Sequence, residues 1–126
     1  MISAADAEKQ LNELIAKQDV TATINEFKSR IEVELELEKV VLFGSRARGD
    51  NDIDSDIDIA VIVSNPPASH EEKRLLSKKL LKVTFDIELK TGLVINPIIL
   101  GAAEFNKTAS ESELIKNIRH DGVEIR

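Results

Sequence analysis

Cysteine, tryptophan and tyrosine are absent from the sequence, and four phenylalanines supply all the large aromatic side chains among 126 residues. The absence of cysteine excludes disulfide bonds, thiolate zinc sites and cysteine nucleophiles, and makes the reducing cytoplasm the expected compartment. The scarcity of aromatic rings argues against surfaces that bind single-stranded nucleic acid by stacking on bases. Apolar runs are far shorter than the roughly 20 residues of a membrane-spanning helix, and the N-terminus lacks a signal-peptide pattern, so we expect no membrane association.

Positive charge is also scarce, because 17 Lys and Arg residues are outnumbered by 23 Asp and Glu residues and the net charge is −6. Proteins that bind duplex nucleic acid usually present a net positive face, so a duplex is not expected as the main partner. The length is sufficient for one self-contained hydrophobic core. We therefore expect a single domain over residues 1–126, with an N-terminal helical segment (1–38), a core (39–100) and a C-terminal helix and tail (101–126).

Helical periodicity dominates the N-terminal segment. The first predicted helix has a short apolar stripe formed by Leu11, Leu14 and Ile15. The second carries apolar residues at helical spacing, which are Ile24, Phe27, Ile31 and Leu35. Residues 32–38 alternate acidic and aliphatic side chains as a strand would, but glutamate favours helices, so we extend the second helix to about Glu36. If exposed, these apolar faces suit a partner helix or a second copy of the chain, and packing on a sheet is the alternative.

Three short apolar runs predict β-strands at about 39–43, 57–63 and 93–100. The last run contains Pro97, which cannot donate a ladder hydrogen bond and therefore belongs at a sheet edge or a bulge. The sequence thus predicts an α/β or α+β fold, with a small mixed sheet of three to four strands packed by helices.

Capping signals mark the two later helices. Ser69 with Glu72 forms a capping box at the start of a long helix that ends near Gly92. Ser110 with Glu113 is expected to begin a last helix in the same way, and a short extended tail follows it. The residues between the first two strands are rich in glycine, asparagine and aspartate, so we expect a turn that contains at most one turn of helix.

Five aspartates occupy alternate positions from 50 to 58. A solvated acidic loop is the ordinary interpretation of such a run. Asp56 and Asp58, however, stand at the start of an apolar strand, where a carboxylate incurs a desolvation cost that a cation would offset, and residues two apart on a strand point to the same side. The spacing lacks the glycine and glutamate of an EF-hand loop, and carboxylates without histidine or cysteine suit Mg²⁺ or Mn²⁺ completed by phosphate oxygens.

A candidate phosphate-binding turn lies on the other side of this loop. Gly44 and Ser45 directly follow a buried strand, where glycine permits close backbone approach and N–H groups with a hydroxyl can bind anionic oxygens. Arg46 and Arg48 add positive charge nearby. The turn lacks the Gly-Lys-Ser/Thr ending of a Walker loop and the three glycines of a dinucleotide fingerprint. A simple tight turn is the alternative, but the Asp-x-Asp pair at a fixed interval favours a nucleotide site.

The turn and the aspartate pair together resemble the signature of the DNA polymerase beta nucleotidyltransferase superfamily. That signature corresponds here to Gly44-Ser45, ten further residues, and then Asp56-Ile57-Asp58. The stretches 42–49 and 55–61 resemble its minimal, prokaryotic branch. The resemblance implies a polymerase beta-type nucleotidyltransferase fold and the transfer of a nucleotide to an acceptor.

The resemblance also implies a role for each matching residue. Gly44 and Ser45 would bind a nucleoside triphosphate, for which ATP is the expected choice, and Arg48 would contact its phosphates. Asp56 and Asp58 would be the catalytic carboxylates and the ligands of Mg²⁺ or Mn²⁺.

One acidic residue of the family pattern is missing. The strand at 93–100 should carry a third aspartate, and Asn96 stands among its aliphatic residues instead. Asp86, Glu88 and Glu104 are candidate substitutes, although each is more typical of a solvated surface charge. Two main hypotheses follow: a nucleotidyltransferase, or a nucleotide-binding module with little or no activity that acts by direct contact. A third, more remote hypothesis is a structural subunit that has lost nucleotide binding altogether.

A partner protein is expected under both hypotheses. With 126 residues, we expect the chain to have no further domain that would hold the acceptor. Minimal members of the family resemble the antitoxin half of paired systems, in which they inactivate a small helical HEPN-type ribonuclease by adding AMP or by binding it. The resemblance thus implies a HEPN-type partner.

Overall fold

A computed structural model describes residues 2–16, 20–107 and 112–125 of the chain. The helices and strands in these residues are, in chain order, α1 (Ala4–Ala16), α2 (Thr21–Ile31), β1 (Leu37–Phe43), α3 (Ser45–Arg48), β2 (Ile57–Val63), α4 (His70–Thr91), β3 (Ile95–Gly101), α5 (Ala102–Phe105), α6 (Glu113–Asp121) and β4 (Val123–Ile125).

The four strands in the described residues form one mixed sheet in the order β3-β2-β1-β4. β1 pairs antiparallel with both β2 and β4, whereas β2 and β3 run parallel. Parallel neighbours need a crossover connection, and the 22-residue helix α4 supplies it. β3 is an edge strand, as Pro97 predicted. The predicted α/β (α+β) class with a small mixed sheet is therefore confirmed.

Apolar side chains are buried against both faces of the sheet. On one face α2 and α4 pack, and Ile24, Phe27 and Ile87 are covered almost completely. On the other face α5 and α6 pack through residues such as Phe105 and Ile118. β2 lies between the two helical layers, and all of its residues except Asp58 are buried. Burial on both faces explains why this strand is an almost continuous apolar run.

The second helix is shorter than predicted. α2 ends at Ile31, so the prediction of helix to about Glu36 was wrong, and β1 begins two residues earlier than predicted, at Leu37. Leu35 and Leu37 pack on the α2 and α4 side of the core, and Leu37 pairs with Val63 across the sheet. Strand pairing and alternate burial thus outweigh the few tenths of a kcal/mol per residue by which glutamate favours a helix.

The long helix begins and ends as predicted. The Ser69 hydroxyl accepts a hydrogen bond from the backbone N–H three residues later, and Gly92 ends α4 with a φ of 76°. For α6 the predicted cap, Ser110, lies outside the described residues. Instead the Ser112 hydroxyl accepts a hydrogen bond from the Ile115 N–H at 3.3 Å. The predicted extended tail is present as β4, the fourth strand of the sheet.

Exposed apolar surface lies on α4. The large apolar residues of α2 are buried, so this helix packs on the sheet. The predicted apolar stripe of α1 (Leu11, Leu14 and Ile15) lies outside the side chains that the structure describes. The side of α4 that faces away from the sheet exposes Leu81, Phe85 and Leu89 by 69%, 55% and 72%. None of the described helices combines the length and the apolar character that a bilayer-spanning segment needs.

Candidate active site

The turn after β1 brings the backbone of Gly44 against the start of β2. Phe43, the last residue of β1, pairs with Asp58, so Gly44 lies beside the Asp58 side chain. Gly44 has a φ of 75°, which other residues rarely adopt, and a Cβ built there would lie 2.5 Å from Asp58 Oδ2. Glycine is therefore required here both for backbone conformation and for space.

Ser45 begins α3 directly after this glycine. The Gly44 carbonyl accepts hydrogen bonds from the N–H groups of Ala47 and Arg48, which closes the predicted single turn of helix. The Ser45 hydroxyl is half-buried and forms no hydrogen bond with any residue that the structure describes. It is therefore available to bind an anionic ligand.

Asp56 and Asp58 mark the start of β2. Asp56 directly precedes the strand and is exposed, whereas Asp58 is its second residue and is half-buried. Alternate strand residues share a face, so Asp58 lies on the same face as Ala60 and Ile62, which pack toward α5 and α6. Within the described residues the Asp56 carboxylate forms no hydrogen bond and no ion pair.

The first three of the five alternating aspartates are exposed residues of the loop between β1 and β2. Asp52 Oδ1 accepts hydrogen bonds from the Asp54 N–H at 2.9 Å and from the Ser55 hydroxyl at 3.2 Å. Asp50 forms an ion pair with Arg48. The ordinary interpretation of a solvated acidic loop thus applies to these three residues, and the last two form the candidate site.

Arg46 supports the loop that leads into β2. Its Nε donates a hydrogen bond to the Ser55 carbonyl at 3.0 Å, immediately before Asp56. The side chain is half-buried against the turn. Arg46 therefore helps to set the position of the aspartate that follows.

The Arg48 guanidinium lies between two carboxylates. Nε is 3.1 Å from Asp50 Oδ2, and Nη1 is 2.9 Å from Asp121 Oδ2 at the end of α6. Hydrogen bonds to Asp50 and then Asp121 raise the pKa of Arg48 above its ordinary value. Hydrogen bonds from His120 and then from Arg48 lower the pKa of the Asp121 carboxyl. The predicted phosphate contact thus joins the loop to α6, and 45% of its side chain remains exposed.

Asn96 occupies the place on β3 that faces Asp58. The two residues are partners in the parallel register, and Asn96 Nδ2 donates a hydrogen bond to Asp58 Oδ1 at 3.1 Å. The acids considered as substitutes lie elsewhere: Asp86 pairs with Arg30, Glu88 is on α4 across the sheet, and Glu104 follows the far end of β3. Among the described residues, no three or more His, Cys, Asp or Glu side chains form a group that could hold a metal ion.

A hard divalent cation nevertheless fits the residues present. Two carboxylates are a sufficient protein contribution for Mg²⁺ when water and substrate phosphate oxygens complete the octahedron. Because Gly44 has no Cβ, Asp58 Oδ2 can lie close to the backbone of the turn. A cation held by Asp58 would therefore lie near a phosphate bound at that turn.

The partners of the two arginines were missed by sequence reasoning. Arg46 binds the carbonyl of a residue nine positions away, and Arg48 binds a carboxylate 73 positions away. No local pattern relates residues so far apart. One signal was present: Asp121 ends a helix, where the helix dipole disfavours negative charge, so a cationic partner was to be expected.

The chain is similar to known nucleotidyltransferases over most of its length. The family model described as polymerase beta, nucleotidyltransferase matches residues 23–123, which include the turn, both candidate aspartates and Asn96. A protein of Methanocaldococcus jannaschii, named provisionally as a protein adenylyltransferase, is 35% identical over 109 residues, which cover 85% of this chain and 99% of that protein. The chain therefore belongs to the polymerase beta-like nucleotidyltransferase superfamily, in which it is a minimal nucleotidyltransferase.

Proposed function

We propose that the chain transfers AMP from ATP to a protein partner in a reaction that depends on Mg²⁺. The observation that supports this most is the position of Asp58 against the Gly44 turn, with Asp56 two residues before it at the start of β2. The adenylyl group and the protein acceptor are suggested by the name of the Methanocaldococcus jannaschii relative.

The turn would bind the triphosphate. Gly44 lets phosphate oxygens approach the backbone, and the Ser45 hydroxyl donates a hydrogen bond to one of them. Asp56 and Asp58 would hold Mg²⁺ or Mn²⁺, which when bound stabilises negative charge on the α-phosphate and on the departing pyrophosphate. Arg48 would contact a phosphate oxygen on giving up one of its two carboxylate partners.

The transfer is a single displacement at phosphorus. An oxygen of the acceptor forms a bond to the α-phosphorus while the bond from that atom to the bridging oxygen breaks, and pyrophosphate leaves with the electron pair. The chain contributes positioning, because the turn fixes the triphosphate at the start of β2, where both aspartates lie.

The acceptor in this proposal is another protein, a small helical protein of the HEPN type, in the cytoplasm. The net charge of −6 disfavours a nucleic-acid duplex as acceptor. A second copy of the chain is the alternative protein acceptor. Separation of the labelled product by mass distinguishes the two.

Transfer of label from [α-³²P]ATP tests the proposal. With Mg²⁺ and the partner present, we expect Asp56→Asn and Asp58→Asn to reduce labelling of the partner by at least about 100-fold, because each removes charge that would hold the cation. Asp54→Asn is the matched control, since it lies in the same acidic loop without touching the site, and it should keep full labelling. Equal labelling by all four proteins would contradict the proposal.

The second candidate is a module that binds nucleotide and inhibits its partner by contact alone. Asn96 is the observation in its favour, because it places an amide where the family pattern has a third carboxylate. Full inhibition of the partner without any transferred label would support this candidate over the enzyme.

A further inference from the structure

Asn96 lies opposite Asp58, one of the two candidate metal ligands, on the neighbouring strand. We propose that this site binds one divalent cation for each bound nucleotide, rather than two, because position 96 carries a neutral side chain and not a carboxylate. This inference rests on the proposed function and concerns the number of cations that the nucleotide site holds.

The first support is the count of carboxylates. Asp56 and Asp58 are the two carboxylates at the start of β2, and the residues described by the structure offer no third acidic or histidine ligand beside them. Two neighbouring dications about 4 Å apart repel each other, and a two-cation site needs carboxylates that bridge or surround the pair. Two carboxylates with the phosphates of one nucleotide suit a single octahedral ion.

The second support is the direction of the Asn96 amide. Its Nδ2 group donates a hydrogen bond to Asp58 Oδ1 at 3.1 Å. An N–H donor carries partial positive charge, so it disfavours a cation at the position it occupies. Asp58 Oδ2 lies on the Gly44 side, where a Cβ on that glycine would stand 2.5 Å from it. One oxygen of Asp58 thus faces the turn and the nucleotide, while the other is held by the amide.

The arrangement has a consequence for Asn96→Asp. The new carboxylate would stand at the same level of the sheet as Asp58, because the two positions are partners in the parallel register. A third carboxylate raises the charge of the site and frees Asp58 Oδ1 from the amide. The variant should therefore accept a second cation and bind the first more tightly.

Manganese counting tests the proposal with a readout other than activity. Free Mn²⁺ is measured by electron paramagnetic resonance while Mn²⁺ is added to the protein saturated with α,β-methylene-ATP, which cannot transfer AMP. We expect one bound Mn²⁺ per nucleotide complex for the wild type and for Asn96→Ala, which removes the amide without adding charge. Asn96→Asp should bind two, and without nucleotide it should bind Mn²⁺ at least about tenfold more tightly than the wild type.

Three other results would contradict the inference about cation number, and one of them would also contradict the proposed function. Two Mn²⁺ ions in the wild-type complex would overturn this inference and leave the proposed function intact. One ion in Asn96→Asp would show that the neutral side chain at position 96 does not set the number, provided that the melting temperature shows the variant folded. No binding of the ATP analogue, measured separately by equilibrium dialysis, would overturn both the proposed function and this inference.

Discussion

At the scale of single residues, Asp58 of the candidate site lies between two residues that belong to, or directly follow, the neighbouring strands. Gly44 follows β1, Asp58 lies on β2 and Asn96 lies on β3, and the pairing registers place all three side by side. A Cβ at the first position would collide with the second, and the amide of the third holds the second by a hydrogen bond. The Asp58 carboxylate is thus positioned from both sides.

Gly44→Ala tests this positioning, with Gly49→Ala as the matched control. Alanine should lower the free energy of unfolding by about 1–2 kcal/mol at Gly49, which has a left-handed α conformation, and by more at Gly44, whose φ of 75° and ψ of −156° are almost confined to glycine. Only at Gly44 does the new Cβ meet Asp58, whereas nothing lies within 4 Å of it at Gly49. AMP transfer should therefore fall at least about tenfold in Gly44→Ala alone. Equal transfer by the two variants, measured beside chemical denaturation, would show that the contact with Asp58 has no role.

At the scale of elements, the loop between β1 and β2 is tied to the far end of the chain. Arg48 in α3 contacts Asp121 at the end of α6, and Asp121 Oδ1 lies 2.9 Å from His120 Nδ1. The Asp121 side chain is only 14% exposed, whereas that of His120 is 88% exposed. The loop that carries the candidate ligands is therefore positioned partly by the C-terminal helix.

This contact predicts a change of stability in acid. The Asp121 carboxyl has a lowered pKa in the folded chain because of His120 and then Arg48, so its stabilising effect is complete above the ordinary value of 3.8. The effect is lost as the pH falls from 3.8 through the lowered pKa. The difference in melting temperature between the wild type and Asp121→Asn should therefore be present at pH 5–7 and disappear in stronger acid. Asp54→Asn is the control. If its difference in melting temperature from the wild type changed with pH in the same way, the assignment of the effect to Asp121 would be contradicted.

The sequence predicted the features that depend on local signals, but not those that depend on contacts between distant residues. The capping box and final glycine of α4, the apolar run of β2 and the spacing of the turn from the aspartate pair are local, and they led to the right elements. The end of α2 was misjudged because residues 32–36 form a turn whose position depends on how Leu37 pairs with Val63. The helix end at Asp121 indicated a cationic partner, but the sequence could not identify Arg48 as that partner, since the pairing depends on where α6 packs.

At the scale of the whole molecule, helices cover both faces of the sheet, and the candidate site lies on one of them. Asp58 is on the face covered by α5 and α6, whereas α4 packs on the opposite face. The exposed apolar side of α4 is therefore separated from the site by the sheet.

Two substitutions in α4 test this layering. Ile87 is 1% exposed and faces the sheet, so Ile87→Ala should lower the free energy of unfolding by about 2–4 kcal/mol. Leu89, two residues later, is 72% exposed, and Leu89→Ala should change it by no more than about 0.5 kcal/mol. Urea denaturation measures both. Similar losses in the two variants would mean that α4 is not packed as described.

The proposed function requires that the turn and the aspartate pair transfer a nucleotide rather than a phosphoryl group. The most direct measurement compares ATP labelled at the α-phosphate with ATP labelled at the γ-phosphate, using wild-type protein, Mg²⁺ and the partner. We expect the α-label to appear on the acceptor protein and the γ-label to leave in pyrophosphate, and we expect Asp58→Asn to abolish the transfer. Label from the γ-phosphate on the acceptor, or α-label transfer that is unchanged in Asp58→Asn, would contradict the proposed function.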